Sequence, residues 1–378
     1  MYSFILLLGL VSLLADVTYE GARSVSGPFL AFLGASGAVV GTAAGLGEFL
    51  GYAMRLISGK IADKTKLYWP LTFIGYLSNL IVVPLLAFAH RWEVAAALIV
   101  LERVGKGIRT PARDAMLSYA SKNIGRGFGF GIHEAMDRCG ALIGPLVVFG
   151  VLTHAGSLRT AFLWLGIPAL LALGALHLAK KSNPHPQTAE DTKLEFSAKG
   201  FSRSFWMFTA ASGLIGAGYV DFALISYHFQ KQAILSAGWI PLFYMFAMIG
   251  AVVFSLAGGK LFDRFPKPVV FTGLALGVLS VPFVFWGGFK GALIGMAFWG
   301  LGLGMQGSAL RSSIAHLTDP SRRGSAYGTF GVIFGLCWFL GSVLIGQLYD
   351  HSLTLTILTS VALQLLAIPL LLKVEIPA

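Results

Sequence analysis

A short polar signature occurs twice in this chain, each copy enclosed between long apolar runs. The first is Gly59-Lys60-Ile61-Ala62-Asp63-Lys64, and the second, 200 positions on, is Gly259-Lys260-Leu261-Phe262-Asp263-Arg264. A repeat at this distance in a strongly apolar chain predicts two stacked half-molecules in a membrane, an architecture that serves to move a solute between the halves.

The 378 residues are 56% hydrophobic and only 12% charged, against roughly 25% charged in a soluble domain. Runs of about 20 apolar residues, enough to cross a bilayer, recur from end to end. Composition therefore gives an integral membrane protein and excludes a soluble enzyme. The net charge of +11 does not point to nucleic acid, because the basic residues lie in short loops between the apolar runs, as a positive-inside bias requires. Cys139 and Cys337 sit within apolar runs and read as small core residues, with no disulfide framework and no metal site. The first residues lack a basic segment and the first apolar run contains Asp16 and Glu20, so no cleaved signal peptide is expected.

Twelve spans are expected, near 4–33, 38–58, 68–89, 93–116, 127–152, 159–179, 205–234, 239–259, 268–287, 291–314, 325–348 and 353–373. Each is too long, and too little alternating, for a β-barrel strand. Basic residues concentrate in alternate loops (Lys60, Lys64, Lys180, Lys181, Lys260, Arg264), whereas the opposite loops hold little more than Arg91, Arg159, Lys231 and Lys290. Both termini are therefore expected on the cytoplasmic side. The polar stretch 180–204, with Pro184, Pro186, Gln187, Glu190 and Asp191, reads as a cytoplasmic linker between six-helix bundles at 1–179 and 205–378.

The repeat extends further. Gly105 and Gly302, Arg126 and Arg323, and Gly144 and Gly341 share one offset of 197 positions. Both halves have six spans and hence the same orientation, which predicts a pseudo-twofold axis along the membrane normal.

A charge at the bilayer centre costs at least about 2.5–3.5 kcal/mol on insertion scales, so such residues face a partner or a watery cavity. Span one carries Asp16, Tyr19, Glu20 and Arg23 on one helical face. Span two adds Glu48 and Arg55. Span four carries Glu102, Lys106, Arg109 and Arg113 at spacings of 4, 3 and 4. Span five carries His133, Glu134, Asp137 and Arg138, with His133–Asp137 and Glu134–Arg138 as i, i+4 pairs. At the shared offset these last four become Phe330, Gly331, Phe334 and Gly335, so the second half lacks the cluster. Its inner polar residues are sparse: Asp221, Tyr227, His228, Gln306 and Arg311.

Asp16, Glu20, Glu134 and Asp137, with His133, are the expected proton-coupling groups, because carboxylates and imidazole in a low-dielectric cavity change charge readily. Tyr19, Arg23, Arg103, Lys106, Arg109 and Arg138 are expected to contact substrate, with Asp221, His228 and Arg311 from the second half. Their excess of cations favours an anionic or zwitterionic solute, of the organic acid or carboxylate siderophore class. Bland readings stand beside these. Glu134–Arg138 neutralises itself and pins helices, Arg103 is a buried partner of a span-one acid, and Arg113 and Asp114 gate or snorkel at the cytoplasmic end.

The duplicated loop signature resembles that of the major facilitator superfamily, and the resemblance covers essentially the whole chain. The first copy lacks the usual second glycine and paired arginines. Arg103-Val104-Gly105-Lys106-Gly107 is similar to the superfamily's fourth-span signature, and Gly140-Ala141-Leu142-Ile143-Gly144-Pro145 to its fifth-span "antiporter" signature. Gly105 to Ala115 and His133 to Arg138 resemble a bacterial subgroup. The resemblance implies an all-α protein of twelve transmembrane helices in two pseudo-symmetric bundles. It implies a secondary transporter in the bacterial inner membrane that works by alternating access on a proton gradient, with no cofactor. A small-molecule substrate, the lipid bilayer and a monomeric state are expected. It further implies that Gly59, Asp63, Lys64, Asp263 and Arg264 latch the cytoplasmic side, while Gly140, Gly144, Pro145 and Gly341 serve helix packing. Proton-driven efflux of amphipathic drugs is the alternative, and lipid flipping fits the same fold. A membrane-embedded enzyme is disfavoured, since no metal spacing, nucleophile elbow or phosphate loop is present.

Overall fold

The computed structural model describes residues 2–122, 125–184, 200–319 and 322–374, apart from the side chain of Arg126. Pro186, Gln187, Glu190 and Asp191 of the expected linker lie outside the described residues. All regular structure among the described residues is helical. The helices are α1 (Tyr2–Phe32), α2 (Gly37–Thr65), α3 (Tyr68–Leu85), α4 (Trp92–Ala120), α5 (Arg126–Ala155), α6 (Leu158–Ser182), α7 (Arg203–Gly218) and α8 (Phe222–Lys231). Then follow α9 (Ile240–Phe262), α10 (Pro266–Trp286), α11 (Gly288–Gly307), α12 (Ala309–His316), α13 (Arg323–His351), α14 (Leu353–Leu365) and α15 (Ile368–Lys373).

Among the described residues ten stretches are long and apolar enough to cross a membrane. α2 and α4 are not among them: Glu48 and Arg55 interrupt one, and the Glu102–Asp114 charges the other. Those two helices complete the expected twelve. Three expected spans are broken rather than continuous: α7 gives way to α8 at residues 219–221, α11 to α12 at Ser308, and α14 to α15 at residues 366–367. At the first break Asp221 accepts a hydrogen bond from the Ala223 N–H at 2.9 Å, so its side chain caps α8. Elsewhere the ends carry ordinary signals. Ser202 accepts from Phe205 N–H at 3.1 Å to start α7, and Gly156, at φ +66°, ends α5 in the left-handed region.

The chain divides into two compact units. The first takes the described residues within 1–34, 50–192 and 237–242, and the second those within 35–49, 193–236 and 243–378. In the first, α1 packs on α5 and α6, and α3 on α4. The close approach comes from small residues: a Cβ on Gly144 would lie 2.5 Å from the Val17 carbonyl, and one on Gly105 would lie 2.5 Å from Asn79 N. The second unit uses the same positions of the repeat. Gly341 meets the backbone of Ala217 in the α7–α13 seam, and Gly302 lies against Gly277 in the α10–α11 seam. Pro145 lies inside α5, and Pro28, Pro111, Pro168 and Pro282 lie within other helices. Cys139 is exposed, which corrects its reading as a core residue, and Cys337 is half-buried; both are free thiols.

Within the second unit the start of α2 runs along the end of α13. A Cβ on Gly45 would lie 2.7 Å from that of Ser342, and one on Gly346 would lie 2.6 Å from the Gly37 carbonyl. Asp350 closes this seam by accepting from the N–H groups of Gly37 and Ala38, both at 2.8 Å. A carboxylate there satisfies orphan donors at the positive end of α2. Asp350→Ala is expected to cost about 1 kcal/mol, the usual loss on removing such a cap. Thermal unfolding in detergent measures this, and an unchanged midpoint would contradict it.

Candidate solute and coupling site

Asp16 and Glu20 of α1, Glu102 and Arg109 of α4 and His133 of α5 are buried within the first unit. The 3- and 4-residue spacing turns Asp16, Tyr19 and Glu20 of α1 inward, and all three are buried. The Tyr19 hydroxyl donates to Asp16 Oδ1. Lys106 of α4 stands 3.8 Å from Glu20 Oε1 and 4.0 Å above the Tyr19 ring. Arg109 is 1% exposed, with its guanidinium 4.2 Å from the Tyr76 ring centroid and 5.7 Å from that of Tyr19. Its Nε and Nη1 have no hydrogen-bond partner. A buried donor left unbonded costs about 1–3 kcal/mol, and stacking on aromatic faces returns about 0.5–2 kcal/mol.

α3 fixes this geometry. A Cβ on Gly75 would lie 2.5 Å from Arg109 N, so only glycine lets α3 and α4 meet there and place Tyr76 under the guanidinium. Asn79, one turn on, donates to Glu102 Oε1 at 2.6 Å and to the Glu102 carbonyl at 3.1 Å. Glu102 in turn faces Arg103 Nε at 3.2 Å. Toward one end of the cluster Ser12 is a hub: its Oγ lies 2.7 Å from His133 Nε2, 3.5 Å from the Tyr76 hydroxyl, and accepts from Arg113 Nη1 at 3.1 Å. Arg113 also forks onto Asp114 Oδ1 at 2.8 and 2.9 Å.

Other candidates of the first unit are less buried. Glu134 and Arg138 pair with each other at 2.7 Å with substantial exposure; Asp137 is half-buried and within electrostatic reach of Asp16, Tyr19 and Lys106, and Arg23 is half-buried and within reach of Glu102. In the second unit His228 is buried, with Nδ1 2.9 Å from the Tyr349 hydroxyl and Nε2 unbonded. Arg311 is exposed on α12. Gly59 is half-buried. Asp63, Lys64, Asp263 and Arg264 are exposed at helix ends, and the partial burial of Asp63 pushes its carboxyl above the ordinary value.

Ser12, Tyr76 and Asn79 belong to the same buried polar network, and charge counting does not single them out. Their one signal is a polar group within an apolar run on the face that meets α1 or α4. No group of three His, Cys, Asp or Glu side chains able to hold a metal ion occurs among the described residues.

Comparison with known proteins agrees with this architecture. A protein of Mycobacterium tuberculosis, itself uncharacterised, is 38% identical over 383 residues, covering 100% of this chain and 94% of its own. An MFS-type transporter of Methanocaldococcus jannaschii, also uncharacterised, is 27% identical over 365 residues, 93% of this chain and 90% of its own. Among solved structures, the nucleoside transporter NupG superposes with a TM-score of 0.79 at 15% identity, over 97% of this chain and 99% of its own. A peptide transporter, POT, superposes with a TM-score of 0.75 at 16% identity, over 98% and 93%. At such identities these two show a shared fold. The Major Facilitator Superfamily model matches residues 6–372, and the chain belongs to that superfamily of membrane transporters.

Proposed function

We propose that the protein moves a small anionic or zwitterionic solute, of the organic acid or carboxylate siderophore class, by alternating access and with protons as the driving ion. The observation that carries this reading is the burial of Asp16, Glu20 and Arg109 on facing sides of α1 and α4 in a single unit. Charges at bilayer depth are retained where they act on an ion or a solute. Asp16, Glu20 and Asp137 are the coupling acids, with His133 and Glu134 as further exchange points. Arg23, Arg103, Lys106, Arg109 and Arg138 supply the positive field, with Tyr19. Asp221, His228 and Arg311 are assigned to the solute path of the second unit.

The setting is a bacterial inner membrane with both termini cytoplasmic, the orientation favoured by the basic loops. The bundles are 1–179 and 205–378, the active form is a monomer, and the proton gradient is the energy source, with no cofactor. Gly59, Asp63, Lys64, Asp263 and Arg264 latch the cytoplasmic side, and Arg113 with Asp114 works at the same end. Gly140, Gly144, Pro145 and Gly341 set the helix spacing.

The aromatic cluster of Phe222, Tyr244, Trp299, Tyr219 and Trp338 in the second unit favours the other reading, efflux of amphipathic compounds. Purified protein in liposomes, preloaded with one organic anion and offered labelled anions outside, separates the two. Anion exchange that accelerates on imposing a pH gradient is expected. Pumping of cationic dyes with no anion exchange would overturn the assignment.

A further inference from the structure

Four cations stand along one face of α4, and three of them meet a carboxylate. Arg103 faces Glu102 at 3.2 Å, Lys106 faces Glu20 at 3.8 Å, and Arg113 faces Asp114 at 2.8 Å. Arg109 forms no ion pair among the described residues, although it is the most buried of the four. Its neighbours are the rings of Tyr76 and Tyr19, whose π-faces attract the guanidinium without accepting a hydrogen bond from Nε or Nη1. Nε belongs to one hydrogen-bonding edge of the guanidinium and Nη1 to the other, so each edge keeps an unbonded donor. A planar anion with two oxygens matches such an edge bidentately. Lys106, one turn away on the same face, keeps 23% of its side chain accessible.

We propose that Arg109 anchors a single carboxylate of the solute, and that the site therefore selects monocarboxylates, including zwitterions with one carboxylate, over di- and tricarboxylates. This rests on the anion-transport reading above and narrows it. A second carboxylate needs a second free cation, and Lys106 and Arg113 are already matched by Glu20 and Asp114. It meets instead the buried acids Asp16 and Glu20, and the Tyr19 hydroxyl is engaged by Asp16. Like charges brought together in a low-dielectric site repel strongly.

The test is competition by matched mono-, di- and tricarboxylates of three to six carbons, and by benzoate against phthalate. Their neutral amides serve as controls. Each compound is scored for inhibition of anion exchange in liposomes carrying wild type, Arg109→Lys or Arg109→Gln. At least one monocarboxylate is expected to bind about tenfold or more tightly than its dicarboxylate partner and its amide. Arg109→Gln should erase that preference, and Arg109→Lys should keep part of it. Di- or tricarboxylates that compete as well as monocarboxylates overturn the proposal, and so does a preference that survives in Arg109→Gln. In both cases anion exchange persists and the transport reading stands. Absence of any carboxylate exchange in wild type defeats both. Wild-type ranking alone decides the matter if Arg109→Gln fails to fold.

Discussion

Gly144→Val is expected to destabilise the protein by about 3 kcal/mol or more, at the upper end for overpacking, and to sharply reduce recovery of monodisperse protein. A Cβ at this position would lie 2.5 Å from the Val17 carbonyl, 2.7 Å from Gly21 N and 3.1 Å from Gly21 Cα. All three are backbone atoms of α1 and none can rotate away. In lipid, where apolar side chains gain little by leaving the solvent, close backbone approach is a main source of helix association. The same seam holds Asp16, whose Cβ would lie 2.8 Å from a Cβ on Gly140. Gly150, in the same helix, has nothing within 4 Å of such an added atom, so Gly150→Ala should leave stability unchanged or slightly raised. Thermal unfolding of the two variants side by side decides whether the effect belongs to the seam or to loss of any glycine in α5. Equal midpoints would remove the seam argument.

Asp16→Asn is expected to lower concentrative transport by roughly 100-fold, near the top of the range for linkage between two sites. Exchange of solute for solute should continue. Asp16 is buried, accepts from the Tyr19 hydroxyl, and shares α1 with Glu20. The amide keeps size and polarity and removes the proton binding that the proposed coupling role requires. Accordingly, wild-type uptake should rise as the external pH falls below the internal pH, and the variant should be insensitive to that difference. Tyr19→Phe, which leaves the carboxylate without its donor, should shift the pH profile without flattening it. A full pH response in Asp16→Asn would move the coupling role to other acids.

Ten of the spans are legible in the sequence because each is an apolar run of bilayer length bounded by polar turns, and α2 and α4 are legible by their length and position despite their charges, since lipid admits few other backbones. The interruptions are less so: α7 ends at Gly218 because Asp221 caps a new helix, and a capping aspartate inside an apolar run looks the same as a buried ligand group. Burial of Asp16, Glu20 and Arg109 follows from their spacing. Choice of partner does not, because it depends on how neighbouring helices are rotated. Arg103 meets Glu102, its own neighbour, whereas Lys106 reaches across to Glu20. The hub at Ser12 depends on four helices, α1, α3, α4 and α5, converging and leaves only a serine in an apolar run. The Asp350 cap on α2 lies 313 positions from Gly37, and nothing local announces it.

Proton and solute fluxes recorded together in wild-type liposomes, with an internal pH dye and a labelled monocarboxylate, bear most directly on the buried charges of α1 and α4 as a coupled site. An imposed pH step, at equal solute inside and out, should drive net solute movement accompanied by a measurable proton flux. Solute movement that follows its own gradient alone, with the dye signal the same as in empty liposomes, would contradict it.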